Sequence, residues 1–158
     1  MESPVPAAAP AAPSQDERMM AALAHGAILL SLMGLVVPII LWITQKDKSR
    51  YVAFQALQAI AFQLVRLVGV FFGLGCYMAT IFSTMFLSAA ASESSRYGGP
   101  PTAFFIPFAV LCVLGAFGVA CFAYAVAGVV MTLMGRDFRY FLIGDWVEQF
   151  VQAASLGR

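Results

Sequence analysis

The sequence predicts an all-α, polytopic membrane protein. Three observations carry that expectation. Of its 158 residues, 61% are hydrophobic and only 11% charged, against about 45–50% and about 25% in soluble domains. The apolar residues fall into runs long enough to cross a bilayer, which takes about 20 residues. Finally, the charges collect in the tails and in the stretches between those runs. A chain this short still needs a polar surface in water, and this one cannot supply it.

The opening MESPVPAAAPAAP reads, with Ser14, as a disordered Pro/Ala-rich tail over 1–14. It has neither the basic start nor the apolar core of a secretory signal. Ser14-Gln15-Asp16-Glu17 is a capping-box pattern and starts the first helix near Gln15. The helical membrane domain is expected over 15–141, with a first crossing from about 20 to 43. Pro38 should bend that crossing locally. Trp42 stands where an interfacial anchor belongs, ahead of the charged 45–50 turn.

Residues 51–91 form an apolar stretch about twice the length of a crossing, yet it carries Gln55, Gln58, Gln63 and Arg66. Wound as a helix, these four share one arc, with Phe62 intruding on it. The economical reading is an interfacial segment over 51–66 and a second crossing from 67 to 87, with Arg66 snorkelling at the boundary. The amide face suits a protein partner: the terminal helix or another subunit. A solvated face is the alternative. Ser, Gly-Gly and Pro-Pro content makes 88–102 a loop, and 104–134 is the third crossing. Leu142, Ile143, Trp146, Val147, Phe150 and Val151 recur at helical spacing, predicting an amphipathic segment over 142–158. Its Asp145 and Glu148 could meet Lys46, Lys48 and Arg50.

With three crossings, Arg18 and Arg96 lie on one side and the other seven basic residues on the opposite one. The positive-inside rule then puts the carboxyl terminus in the cytoplasm and the amino terminus outside the cell membrane.

Candidate chemistry is sparse. His25 is the single histidine, and an interfacial or helix-packing role is the simpler reading than proton transfer. No carboxylate is placed at mid-membrane depth. Cys76, Cys112 and Cys121 lie in apolar runs as small hydrophobes, with no spacing for a disulfide framework or metal site. No cofactor, catalytic residue or nucleic-acid patch is expected. Gly69 and Gly73 form a GxxxG, continued by Gly75. A third helix bearing Ala116 and Ala120 could pack closely on it, within the chain or as a homo-oligomer seam.

Glu17-Arg18, Leu23-Ala24-His25, Pro38 with Leu41-Trp42, Lys48-Ser49, Gln55 to Ala59 with Phe62, and Ala127, Gly135 and Phe138-Arg139-Tyr140 together resemble a bacterial family of small membrane proteins of unknown function. That family is distantly similar to the chloroplast inner-envelope import component Tic-twenty. Arg18, His25, Pro38, Trp42 and Tyr140 are the residues that carry the motif. The family usually has His where Gln55 stands and Pro where Phe141 stands. The resemblance implies a polytopic helical bundle and, at a distance, a part in protein translocation. The chain is thus expected to be a non-enzymatic component of a membrane assembly, with the lipid bilayer and a membrane-complex partner around it. A small transporter or channel is the alternative, for which Thr80, Ser83 and Thr84 are the candidate polar cluster.

Overall fold

The computed structural model describes residues 12–94, 105–141 and 143–149; the expected 1–14 tail and 142–158 segment fall largely outside them. The described chain is all-helical. In order come α1 (Gln15–Gly26), a 3-10 segment (Ala27–Leu35), α2 (Val36–Gln45), α3 (Arg50–Ser94) and α4 (Phe105–Leu133).

The capping box forms: Ser14 Oγ accepts from the Glu17 amide at 3.3 Å, and Glu17 accepts from the Ser14 amide at 2.7 Å. Beyond it the chain does not make the expected 20–43 crossing. At 1.5 Å per residue α1 and α2 are about 18 and 15 Å long, each well short of the roughly 30 Å of hydrocarbon. Between them the chain doubles back. A straight 3-10 helix would hold residues 27 and 34 about 14 Å apart, but a Cβ on Gly34 would collide with the Ala27 carbonyl. The two ends meet as well, since Ser49 Oγ donates to the Glu17 carboxylate at 2.5 Å. Segment 15–45 is therefore a hairpin that enters and leaves at one end of the molecule. Pro38 does not bend a long helix; it sits in the first turn of α2, where a missing N–H costs nothing.

The interfacial segment and the second crossing are one helix. Nothing between Tyr51 and Leu87 interrupts the hydrogen-bond ladder, and α3 runs 45 residues through Ser94, consuming the first part of the expected 88–102 loop. Among the described residues two helices are long and apolar enough to cross a membrane, within α3 (Arg50–Ala90) and α4 (Phe105–Leu133). The expectation of three crossings is corrected to those two. α4 stops in a Schellman motif: Gly135 N bonds Thr132 O and Arg136 N bonds Met131 O, both at 3.0 Å. Gly135 has φ +72°, where glycine avoids the Cβ penalty. Arg18 lies against that turn, a cation at the negative end of the α4 dipole.

Two clusters form the core. Ala24, Ala56 and Ala59 let α1 and α3 approach closely, with Leu41 and Trp42 of α2 packed over them. Ile28, Phe62, Cys121, Ala125, Phe138 and Tyr140 make the second. Both sit at the hairpin end.

Candidate functional site

The polar residues of the apolar runs converge in one buried layer. Gln55, Gln58 and Gln63 are at most 2% exposed, and His25 is 1% exposed. Each amide has its own task. Gln55 Oε1 lies 3.1 Å from His25 Nε2, whose other nitrogen, Nδ1, is 3.0 Å from the Tyr140 hydroxyl. With Gln55 presenting its carbonyl, the imidazole carries its proton on Nε2 and accepts from Tyr140 at Nδ1. Gln58 holds the chain beyond α4 with two backbone bonds: Nε2 donates to Phe138 O at 3.0 Å and Oε1 accepts from Tyr140 N at 2.9 Å. Gln63 donates to Gly34 O at the hairpin tip, 3.3 Å. The layer thus ties α1, the hairpin tip and segment 138–140 to α3.

Aromatic rings enclose it. Phe62 stacks on Tyr140 with centroids 4.3 Å apart and planes 7° apart. Tyr124 and Phe138 meet Tyr140 edge-on at 5.1 and 4.8 Å. Gly128 opens α4 to this group, since a Cβ there would stand 3.1 Å from Phe138 and 3.2 Å from the His25 ring.

Burial favours the neutral form of each titratable group. It lowers the His25 pKa from 6.5 to about 4, and the Gln55 contact opposes that only in part. It raises the Tyr140 pKa well above the ordinary phenol value. Gln55 Nε2 is buried without a partner. At the rim, bonds from Ser49 and Ser14 hold the Glu17 carboxyl below its usual pKa. Among the described residues no three of His, Cys, Asp and Glu are placed to hold a metal ion.

The amide face is thus turned inward, onto α1, the hairpin tip and residues 138–140, and not onto the terminal helix or solvent. The described part of the terminal segment is a helical turn over 144–149 with Val147 buried and Trp146 exposed. Its Glu148 pairs with Arg139 at 2.6 Å in place of the expected Lys46, Lys48 or Arg50. Arg66 is separate from the layer, and its Nε is buried without a partner.

The glycine stripe is narrower than expected. A Cβ on Gly69 would meet Phe117, and one on Gly73 would meet Leu114, so large α4 side chains fill the notches. Gly75 faces open space, and Ala116 and Ala120 are exposed. Six residues beyond Gly69, Gly75 has rotated off the shared face. Thr80 and Thr84 donate to the carbonyls of Tyr77 and Ile81, each at 2.8 Å, and with Ser83 they line one cavity beside Leu87 and Ile106.

Of the motif residues, His25 and Tyr140 form the centre of the layer. Arg18 donates to Pro13 O at 3.0 Å, Pro38 is buried, and Trp42 packs on Ala24 under Lys46. Residues 16–147 match the family model described as the magnetosome magnetite crystal formation protein family. The chain belongs to this family. The matched span contains both apolar helices and every residue of the polar layer. No curated protein and no solved structure matches the chain. The magnetosome family supports the expected family of small bacterial membrane proteins; the distant likeness to Tic-twenty is not shown, and translocation has no support from the match.

Proposed function

We propose that this protein is a non-enzymatic component of magnetite crystal formation, acting from within the magnetosome membrane as part of a protein assembly. The match to the magnetosome family over residues 16–147 is the observation that carries this reading. Two features of the molecule agree with it. The polar layer commits its hydrogen bonds to joining α1, the hairpin tip and segment 138–140 to α3, as a scaffold requires. The far parts of α3 and α4 present large apolar side chains outward, a surface suited to lipid and to other membrane helices.

In this reading α3 and α4 are the two crossings, and the hairpin is embedded from one side. Arg18, Lys46, Lys48, Arg50, Arg136 and Arg139 then share the end that holds the start of α1 and the stop of α4, whereas by sequence Arg96 stands between α3 and α4. The positive-inside rule would make the richer end cytoplasmic, so with two crossings the start of α1 is proposed on the cytoplasmic side, in place of the outside location expected from three crossings. The test is genetic. In a magnetite-forming bacterium lacking the gene, electron microscopy should find smaller or misshapen crystals, restored by the wild-type chain, and a tagged copy should purify with magnetosomes. Normal crystals in the deletion strain, or a protein found only in other membranes, would overturn the proposal.

A further inference from the structure

Arg66 is the one cation on the inner stretch of α3, and nothing described in the chain explains it. Its Nε is buried with no hydrogen-bond partner, and among the described residues no carboxylate pairs with it. It lies on the α3 face that looks at α4, between Phe62, which belongs to the core, and Gly69, which receives Phe117. One turn before it on the same face, Phe62 reaches the Tyr124 ring of α4 at 6.0 Å.

Phe62, Phe117 and Cys121 also line an open groove of about 490 Å3, completed by Ala120, Ala123, Tyr124 and Ala127. The alanines make its floor shallow, so the wall is almost wholly apolar. From Ala127 to Phe117 it follows α4 for roughly 15 Å. One end lies close to polar surroundings. The Phe141 amide donates to the Tyr124 hydroxyl at 3.0 Å, and the Tyr124 ring lies 6.0 Å from Phe62. Segment 138–141 therefore crosses the helix pair at the level of Phe62. Arg66 is one turn deeper, about 6 Å along α3, within reach of a snorkelling guanidinium.

We propose that Arg66 and this groove form a binding site for one anionic phospholipid, drawn from the leaflet on the side of the hairpin. An acyl chain lies along Phe62, Phe117 and the alanine floor, and the headgroup phosphate accepts hydrogen bonds from Arg66. An uncompensated guanidinium beside an apolar channel is complementary to an anion with a hydrocarbon tail, and phosphate suits the fork of Arg donors. A zwitterionic lipid would fill the groove but answer the charge less well.

The test uses the full chain in mild detergent, with native mass spectrometry after adding phosphatidylglycerol or phosphatidylcholine of equal chain length. The wild type should retain phosphatidylglycerol in preference to phosphatidylcholine, a comparison that needs no variant. Arg66→Gln should lower phosphatidylglycerol binding roughly tenfold, the loss of one charge-assisted contact. Ala123→Leu, at an exposed position, should weaken both lipids by filling the groove. Equal retention of the two lipids by the wild type would overturn the site, as would undiminished phosphatidylglycerol binding by a folded Arg66→Gln chain. Inorganic phosphate provides the last arm. If it displaces phosphatidylglycerol completely while Ala123→Leu changes nothing, Arg66 is a plain anion site and the lipid assignment fails.

Discussion

Between Gln55 and Gln63, α3 buries three amides against the hairpin and segment 138–140, while Val68, Phe72 and Phe86 of the same helix are 69%, 74% and 76% exposed. One helix thus passes through two kinds of structure. At the hairpin end, the buried polar groups other than Gln55 Nε2 have named partners and the chain is packed on several sides. Beyond Arg66 the glycine notches take Phe117 and Leu114, and most large apolar side chains face outward. In lipid such exposure carries little penalty, so close packing is required only where polar groups must be enclosed. The folded core of this protein is therefore its polar end.

The sharpest way to break this contrast is topological, with an all-or-none effect. In a background lacking Cys76, Cys112 and Cys121, cysteines at Ser14 and Lys48 should respond identically to an impermeant thiol reagent, and one at Tyr97 oppositely. Opposite responses at Ser14 and Lys48 would mean that segment 15–45 crosses after all.

Next in size is Gln58→Leu. It leaves Phe138 O and Tyr140 N without their side-chain partner, and each buried orphan costs about 1–3 kcal/mol. A loss of about 3 kcal/mol in detergent unfolding is expected, with faster trypsin cleavage at Arg136 and Arg139. Leu64→Gln, a half-exposed site in the same helix, should leave cleavage at those two arginines unchanged.

How much of this was legible in the sequence depends on what each signal specifies. The capping box and α4 were readable because local chemistry decides them. The hairpin was not: residues 20–43 are apolar throughout, and composition does not distinguish a crossing from a return. Only the close approach of Gly34 to Ala27 and the Glu17–Ser49 bond reveal it. The glutamine arc was visible, but its partners lie about 30 to 80 residues away in sequence. One clue was available: Phe62 sits among the amides, which suits an enclosed face better than a solvated one. Tyr124 gave no signal of its own, since aromatic residues in apolar helices are ordinary, and Phe138 was marked only as a neighbour of Tyr140 in the family motif.

A smaller effect is expected from protons. The folded-state pKa of His25 lies below its ordinary 6.5, at about 4, so folding favours the neutral ring. The stability it contributes is therefore complete above pH 6.5, declines as pH falls toward 4, and is flat with respect to this group below that. The groups facing the ring are Gln55 of α3, Tyr140 and Phe138 beyond α4, and Gly128 of α4, none of them a carboxylate. The full decline is at most about 3 kcal/mol. Thermal unfolding in detergent at pH 7, 5 and 4 should show it, and His25→Leu should flatten the profile in that window. Glu17, with its pKa held low, loses its contribution only at more acid pH.

The smallest effect separates the two regions by one methyl group. On distance alone Gly73→Ala looks worse than Gly128→Ala: its Cβ would stand 2.6 Å from Leu114 Cδ1, against 3.1 Å from Phe138 and 3.2 Å from His25. What differs is the freedom of the neighbour. Leu114 Cδ1 is the end of a flexible side chain on the apolar half of α4 and can turn away. Helix propensity then returns up to about 1 kcal/mol for replacing glycine, so Gly73→Ala should be neutral within about 0.5 kcal/mol. The His25 ring is held at both nitrogens, and Phe138 is clamped by its carbonyl bond to Gln58, so neither can yield without straining the layer. Overpacking of this kind costs about 1–3 kcal/mol, leaving Gly128→Ala destabilised by about 1 kcal/mol after the propensity gain. Unfolding midpoints of the two alanine variants in the same detergent decide the matter. A larger loss at Gly73 than at Gly128 would mean that the apolar half is packed as tightly as the polar one.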